Sequence, residues 1–247
     1  MQNVVDIAHR YATLFISGSK NTLIIALSAT IIGLFIGLLM GLVRSIKIDA
    51  KDSILQKSTK KILQLLSTLY IEIFRGTPMM VQAIFIYYTF LPLFRNSKLL
   101  AGIVIVSINT GAYMAEIIRA GIQSLDKGQN EAARSLGLSN RQTMILVILP
   151  QAIKNAFPSI GNEFVVNIKD TSVLNVIGVT ELYFQSVSVA GINYRFVDTF
   201  TVTALIYLFL TYSTTSLLKW LEKRYNIEGY DGVSSSTMPM FRKETKA

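Results

Sequence analysis

Long apolar blocks alternate with short polar connections along most of this chain. The first block, "TLIIALSATIIGLFIGLLMGLV", covers Thr22–Val43, and three others cover about Leu99–Ala120, Ile153–Ile177 and Val197–Trp220. Each block reaches about 20 residues, the length at which a helix crosses the hydrocarbon core of a bilayer. The pattern therefore predicts membrane-spanning helices and not the core of a soluble domain.

A further apolar block, residues 65–94, is interrupted at Gly76-Thr77-Pro78. Thr77 can cap a new helix and Pro78 can occupy its first position. Both a kinked span and a short interfacial helix leading into a span fit this pattern. With this block counted, the sequence predicts an all-α membrane protein with about five transmembrane helices.

The two ends of the chain differ from these blocks. Residues 1–20 have the pattern of an amphipathic helix that ends near Gly18, and residues 226–247 have the composition of a disordered tail. We therefore predict an N-terminal segment (1–20), a membrane domain (21–225) and a polar cytoplasmic tail (226–247). In the first span, glycines recur every four residues, a spacing that lets another helix approach closely. These are Gly33, Gly37 and Gly41.

Composition supports the membrane assignment and excludes several chemistries. Apolar residues make up 51% of the chain, charged residues 16%, and the mean hydropathy is +0.45. The net charge of +9 does not indicate a nucleic-acid partner, because the basic residues lie between the apolar blocks and not in one patch. The sequence has no cysteine and one histidine, His9, so it predicts neither thiol chemistry nor a metal site.

The distribution of lysine and arginine predicts the orientation. The connections after the first and third spans, and the tail, hold most of these residues. The N-terminal segment and the other loops hold few, namely Arg10, Lys20, Arg95, Lys98 and Arg195. The positive-inside rule then places the N-terminus outside, the C-terminus in the cytoplasm, and residues 121–152 on the cytoplasmic side.

That cytoplasmic connection contains the stretch "EAARSLGLSNRQTMILVILP", residues 131–150. Glu131 lies in the first turn of a predicted helix, and Gly137 follows it as a left-handed terminator. Ser139 and Gln142 have the spacing of a capping box that starts a second helix. The residues alone fit either a rigid element that receives force from another protein or an amphipathic helix on lipid headgroups.

Two of the predicted spans carry polar residues on one face. The stripe in the third span is Asn109, Tyr113, Glu116 and Arg119, and that in the fourth is Glu163, Asn167 and Asp170, with Asn162 beside it. Spacings of three and four residues place these side chains on one side of each helix. Two such stripes facing one another would form a hydrophilic cavity, which is the expected reason for polar groups inside a membrane.

Depth within the span separates the roles expected of these residues. Glu116 and Arg119 lie near the cytoplasmic end, where we expect an internal ion pair. Lys169 and Asp170 lie nearer the outer side, where we expect gating or structural pairing. The predicted substrate pathway, for which interhelical hydrogen bonding is the alternative, comprises Asn109, Tyr113, Asn162, Glu163 and Asn167.

Several segments resemble one known family. Glu131-Ala132-Ala133, three residues, Gly137, nine residues and Val147-x-Leu149-Pro150 are similar to the EAA loop of ABC importer permeases. Three segments resemble the polar amino acid branch of that family: "EIFRGTPMMVQ" (72–82), "AYMAEIIRAGI" (112–122) and "NIKDTSVLNVIGVTEL" (167–182). Within the first of these, Glu72 and Arg75 are one helical turn apart, which predicts a local ion pair.

The resemblance implies a type I ABC importer permease fold, with a cytoplasmic coupling helix in the loop 128–150. Permeases of this family lie in the bacterial cytoplasmic membrane, pair as homodimers or heterodimers, bind a dimer of ABC ATPase subunits and receive solute from an extracytoplasmic binding protein. By the same resemblance, the ATPase contact would comprise Glu131, Ala132, Ala133 and Gly137, with Arg134 and Arg141 as polar neighbours. The chain contains no Gly-Lys dipeptide and so no phosphate loop, which implies that ATP and Mg²⁺ are bound by the partner ATPase and not by this chain.

Three classes of function compete. A secondary carrier driven by an ion gradient could use Glu163, but such carriers usually have repeated halves, and no internal repeat is evident. An intramembrane enzyme would need a His, Cys or paired-acid constellation that the sequence lacks. The sequence therefore favours a non-enzymatic permease subunit of an importer for a polar amino acid. Glutamine, glutamate, arginine, histidine and cystine all remain open as solutes.

Overall fold

The computed structural model describes residues 2–46, 48, 52–94 and 97–225, and within these ranges all regular secondary structure is helical. The sequence predictions for Arg95 and for residues 226–247 concern positions outside the described residues. The α-helices are α1 (Gln2–Arg10), α2 (Ala12–Arg44), α3 (Ile54–Gly76), α4 (Met79–Thr89), α5 (Leu91–Phe94), α6 (Lys98–Gln123), α7 (Lys127–Ser135), α8 (Asn140–Thr143), α9 (Leu149–Asp170), α10 (Leu182–Asn193) and α11 (Phe196–Arg224).

The described helices provide four or five membrane spans. By length and hydropathy, α2, α6, residues 140–177 and α11 can each cross a bilayer, and α3 with α4 forms a fifth span if the pair is counted as one. These two helices meet at 115°. The break occurs where it was predicted, but Thr77 follows the end of α3 and Pro78 is the N-cap of α4, not its first residue.

The first span is longer than the sequence predicted. Because α2 already begins at Ala12, Gly18 lies inside it and does not end an N-terminal helix. Gly18 is needed where α2 crosses the start of α10, since a Cβ atom at this position would lie 2.8 Å from the Cα atom of Leu182. The amphipathic helix α1 packs on α11 and buries Ile7.

The helices α2 and α6 form the most extensive helix pair in the described bundle. A Cβ atom on Gly33 would lie 2.7 Å from Cγ2 of Thr110, and one on Gly37 would lie 2.7 Å from the backbone nitrogen of Ala115. Only glycine fits at such distances, so the two backbones are in direct contact. The close approach predicted from the four-residue glycine spacing is confirmed.

Two contacts fix the position of α9 along α6. Near the C-terminal end of α6, a Cβ atom on Gly121 would lie 2.6 Å from the carbonyl oxygen of Ala152. Further along, the hydroxyl of Thr110 donates to Oδ1 of Asn167 at 3.0 Å. Since residue numbers fall along α6 as they rise along α9, the two helices are antiparallel, and residues between these contacts face each other at similar depth.

The far end of the fourth span differs from the prediction. Its α-helix ends at Asp170, and Thr171–Ile177 forms a 3₁₀-helix that terminates at the left-handed residue Gly178. The sequence interpretation did not identify α10. This helix is capped by the buried carboxylate of Glu181, which accepts hydrogen bonds from the backbone nitrogens of Tyr183 and Phe184.

The connection 124–148 forms the predicted helix, turn and second helix. Gly137 adopts φ +84°, a left-handed conformation, and Ser139 and Gln142 form both hydrogen bonds of a capping box. The first helix begins earlier than predicted, capped by Asp126, so that Glu131 lies in its middle and not in its first turn. A π-helix, Met144–Ile148, joins α8 to α9 and was not predicted.

Candidate functional site

A cavity of about 720 Å³ lies between α3, α6 and α9. Its volume falls within the range of about 300–1,000 Å³ that is usual for small-molecule sites. The polar and charged residues in its lining are Arg75, Tyr113, Glu116, Arg119, Ser124, Asn155, Ser159, Asn162 and Glu163. The cavity therefore brings together part of the polar side of the third predicted span, Asn162 and Glu163 of the fourth, and the segment just before the break between α3 and α4.

Glu116 lies at the centre of a charge cluster on the wall of this cavity. Its Oε2 accepts hydrogen bonds from Nε and Nη2 of Arg119 at 2.8 and 2.6 Å, so the two residues form an ion pair. Its Oε1 accepts a hydrogen bond from Nη1 of Arg44, at the end of α2. Local spacing gave no signal for Arg44, because this residue lies 72 positions away in the sequence.

Arg75 belongs to the same cluster and not to a local pair. Its Nη1 lies 3.9 Å from Oε2 of Glu116, and its guanidinium carbon lies 5.7 Å from the centroid of the Tyr113 ring. Glu72 is exposed and forms no ion pair within the described residues. The structure thus replaces the predicted Glu72–Arg75 pair with a contact between two helices.

On α9, Glu163 is partly buried and Asn162 is exposed, and both line the cavity. No lysine or arginine in the described ranges lies within ion-pair distance of Glu163. Lys169 and Asp170, for which we expected gating or structural pairing, likewise form no ion pair within those ranges. Asp170 instead ends α9, and Lys169 is exposed.

Two residues of the predicted pathway lie inside the bundle. Asn167 is 3% exposed, and its Nδ2 donates to Oγ1 of Thr30 at 2.9 Å while its Oδ1 accepts from Thr110. Asn109 is 7% exposed, and its Nδ2 donates to Oε1 of Gln82 at 2.7 Å. Neither residue lines the cavity. Both make the interhelical hydrogen bonds that were the alternative to solute contact.

The sequence interpretation missed part of the stripe on α9. Asn155 and Ser159 precede Glu163 at intervals of four residues, and all three line the cavity. This spacing continues the predicted stripe toward the N-terminal end of α9 and is visible in the sequence. The predicted pathway residues of this span are Asn162, Glu163 and Asn167, and Asn167 turns into the packed interface.

The predicted ATPase contact forms an exposed surface with one exception. Glu131, Ala132, Arg134, Gly137 and Arg141 are exposed, whereas Ala133 is 4% exposed and packs inward. Leu136, at the end of α7, is 84% exposed. An exposed leucine beside a rigid turn is an apolar contact point that the sequence interpretation did not single out.

Comparison with known proteins gives consistent matches. Residues 33–227 match the family described as the binding-protein-dependent transport system inner membrane component. The glutamine transport system permease protein GlnP of Escherichia coli is 37% identical over 217 residues, which cover 87% of this chain and 94% of that protein. The probable glutamine ABC transporter permease protein GlnM of Bacillus subtilis is 42% identical over 166 residues, which cover 66% of this chain and 76% of that protein.

Solved structures are similar over the same extent. A chain of an amino acid ABC transporter crystallised with histidines has a TM-score of 0.75 at 40% identity, covering 87% of this chain and 95% of that chain. A chain of the inward-facing methionine ABC transporter MetNI has a TM-score of 0.69 at 19% identity, covering 87% of this chain and 95% of that chain. At this low identity, the second similarity bears on the fold alone.

Proposed function

The chain belongs to the family of binding-protein-dependent transport system inner membrane components, and from this premise we propose that it conducts a polar amino acid through the cavity between α3, α6 and α9. The resemblance to ABC importer permeases and the predicted fold are both confirmed. The protein is therefore a transport subunit, and an ion-coupled secondary carrier is not favoured.

The observation that carries this proposal is the charged cavity itself. Charged side chains inside membrane-spanning helices are costly and mark a pathway unless they are fully paired. Here Glu163 lies on the cavity wall without a cationic partner among the described residues, and Arg75 and Arg119 line the same cavity. A cavity with these groups accommodates a solute that carries charge of both signs, as every free amino acid does.

The same cavity supports a solute with a polar side chain. Asn155, Ser159 and Asn162 add amide and hydroxyl groups to its wall. Two similar permeases are named for glutamine, and the similar solved transporter was crystallised with histidines. A neutral or cationic polar amino acid agrees with both the chemistry of the wall and these relatives.

Energy would come from a separate ABC ATPase that binds ATP and Mg²⁺ and docks on the surface formed by α7 and α8. Glu131, Ala132, Arg134 and Arg141 are exposed there, and Leu136 adds an apolar contact. The turn at Gly137 is held by a hydrogen bond from Leu138 N to Ala133 O at 3.2 Å. Because α8 continues through the π-helix into α9, a displacement of this surface by the ATPase would be transmitted along the backbone to the α9 side of the cavity.

The remaining partners follow from the family. We infer a second permease subunit, identical or homologous, an extracytoplasmic amino-acid-binding protein and surrounding lipid, with the N-terminus outside and the C-terminus in the cytoplasm. Apolar residues exposed along α3, α4 and α11 support a lipid or permease neighbour; among them are Leu65, Leu69, Phe85, Leu208 and Phe209. The scattered basic residues give no support for a nucleic-acid partner.

Purification from native membranes in mild detergent, followed by identification of what remains bound, tests this proposal. The expected result is one ATPase subunit per permease chain, in a complex whose ATP hydrolysis in liposomes is stimulated by a polar amino acid and the binding protein. A chain that purifies alone and moves solute into liposomes without ATP would reinstate the secondary carrier.

A further inference from the structure

A π-helix, Met144–Ile148, joins the proposed ATPase-docking surface to α9. The backbone nitrogen of Leu149 donates to the carbonyl oxygen of Met144, five residues earlier, whereas an α-helix bonds four residues earlier. Pro150 follows and has no N–H to donate, and in a straight α-helix its ring would clash with the carbonyl oxygen of Leu146. The wide turn accommodates the proline, so the chain passes this junction with one backbone donor fewer.

Thr143, the residue before the π-helix, has a buried hydroxyl without a hydrogen-bond partner among the described residues. The residue is 1% exposed. Other helical threonines donate to the carbonyl oxygen four residues earlier, as Thr30, Thr203 and Thr211 do at 2.7, 3.0 and 2.8 Å. A buried hydroxyl that makes no such bond is costly. The start of the π-helix therefore lacks a contact that would stabilise its conformation.

Gln151 supplies the side-chain contacts that hold this junction. Its Nε2 donates to the carbonyl oxygen of Val147 at 2.8 Å and to Oε1 of Gln129 on α7 at 3.3 Å. The first bond gives a carbonyl of the wide turn a donor from a side chain, and the second joins α7 to α9. Both bonds depend on one half-buried amide group, so the loss of one side chain would release the junction.

The segments on either side of the junction are fixed. On α9, the carbonyl oxygen of Ala152 would lie 2.6 Å from a Cβ atom on Gly121, so the backbones of α9 and α6 are in contact. On the other side, the backbone nitrogen of Leu138 donates to the carbonyl oxygen of Ala133 at 3.2 Å, and a capping box starts α8. A relative motion of the two sides would therefore concentrate in residues 143–150.

We propose that Met144–Ile148 is a hinge at which the docking surface of α7 and α8 turns against α9 when the ATPase binds ATP. Gln151 is the positioning residue that holds the hinge in the conformation of this structure, and turning separates it from Gln129. This inference rests on the proposed function and adds the place where the coupling motion occurs. The docking surface can then follow the tilt of the ATPase, while displacement along the chain still passes through Pro150 to α9.

Amide hydrogen exchange of the intact permease–ATPase complex tests the hinge. The complex, with the binding protein and whichever of L-glutamine, L-histidine and L-arginine stimulates hydrolysis most, is compared without nucleotide and after trapping with ATP and vanadate. Backbone amides of residues 144–149 are expected to differ in exchange rate by about 10-fold between the two states, because the hinge bonds are broken in one of them. Amides of residues 152–157, beyond the contact with α6, should differ by less than about 2-fold.

Two substitutions should remove this difference in opposite ways. Pro150→Ala restores a backbone donor and removes the ring, so the helix can continue in the α form and residues 144–149 should exchange slowly in both states. Gln151→Ala removes both side-chain bonds, and the same amides should exchange fast in both states. Gln129→Ala should reproduce the second effect in part, because it keeps the bond to Val147.

Stimulated hydrolysis provides the functional measurement. Pro150→Ala and Gln151→Ala should each lower solute-stimulated ATP hydrolysis by about 10-fold, because both remove the change between two hinge conformations. Pro92→Ala is the control, since this proline lies in α5, outside the connection, and should change neither exchange nor hydrolysis. Copurification with the ATPase establishes that each variant is assembled. If Pro150→Ala does not assemble, the exchange of Gln151→Ala decides.

Opposite changes in exchange separate a hinge from a folding defect, which would speed exchange in every variant. Equal exchange of residues 144–149 in both states of a wild-type complex that hydrolyses ATP in response to solute would overturn the hinge and leave the proposed function standing. An equal change in residues 152–157, or normal stimulation of the Pro150→Ala complex, would also overturn it. A wild-type chain that copurifies with no ATPase would overturn the proposed function together with the hinge.

Discussion

Asn162 and Asn167 lie five positions apart on α9 and have the same chemistry but opposite surroundings. Asn167 is enclosed between α2 and α6 and bonds a threonine on each. Asn162 is exposed on the wall of a cavity that also contains charged residues. The comparison teaches that spacing identifies the helices that carry polar groups, whereas the neighbouring helix decides whether such a group stabilises the bundle or remains available to a solute.

Helix α6 likewise has one side that packs against a neighbouring helix and one side that lines the cavity. One side is closed against α2, where Gly33 and Gly37 bring the backbones into contact. The other side carries Tyr113 and Glu116 into the cavity. We therefore expect substitutions on the packed side to change stability first, and substitutions on the cavity side to change transport first.

The largest loss of stability is expected from Gly37→Ala. The added Cβ would overlap the side chain of Met114 and the backbone of Ala115, and the helices would have to separate. Overpacking of this kind costs about 2–3 kcal/mol. Gly191→Ala on α10 is the matched control, because nothing lies within 4 Å of its Cβ position. Thermal unfolding in detergent should show a lower Tm for the first variant alone, and equal Tm values would contradict the backbone contact.

Asn167→Leu should lower stability by about 1–2 kcal/mol, because it leaves the hydroxyl of Thr110 buried without its acceptor. Asn162→Leu is the matched substitution on the cavity side. It should leave the Tm nearly unchanged and reduce amino acid transport by the reconstituted complex. Similar loss of stability in both variants would erase the distinction between the two faces of α9.

The residues show why part of this arrangement could be predicted and part could not. Helix–turn–helix geometry at Gly137 and the capping box at Ser139 and Gln142 depend on local chemistry, so the sequence specified them. The polar stripes were likewise visible as spacings. Arg44 joins Glu116 from 72 positions away, and no local pattern contains such a contact.

Two further misses have a similar physical reason. The sequence favours Glu72 as the partner of Arg75 because it lies one turn away on the same helix. The structure selects Glu116 on the neighbouring helix instead. Helix α10 was not predicted because its N-cap is Glu181, a carboxylate that is buried through contacts with other helices, including a hydrogen bond from the Tyr207 hydroxyl on α11.

Substitution of Glu116 and of Glu72 tests which of these two carboxylates pairs with Arg75. Glu116→Gln removes the only anion that contacts Arg44, Arg75 and Arg119 in the described cluster. We expect a loss of about 1 kcal/mol, since these arginine side chains are 29–41% exposed and solvent screens their repulsion. Glu72→Gln should leave stability within about 0.5 kcal/mol of wild type. A larger loss from Glu72→Gln, measured by thermal unfolding, would favour the local pair.

Gly137→Asp should have a modest effect on folding and still stop transport. Aspartate can adopt the left-handed conformation as a single residue, so its cost should stay below the roughly 1–2 kcal/mol expected of other side chains, and nothing lies within 4 Å of the new Cβ. It would place a negative charge on the surface where we propose that the ATPase docks, so the cavity would remain intact but uncoupled.

Gly137→Asn separates that charge from the turn, because asparagine has the same size and also tolerates this conformation. The aspartate variant is expected to enter the membrane, bind the amino acid in the cavity and fail to support solute-stimulated ATP hydrolysis, whereas the asparagine variant keeps most of it. Normal stimulated hydrolysis by the aspartate variant would place the ATPase contact elsewhere. Loss of solute binding as well would mean that the loop also controls the structure of the cavity. The docking surface and the cavity would then not act as independent parts of the protein.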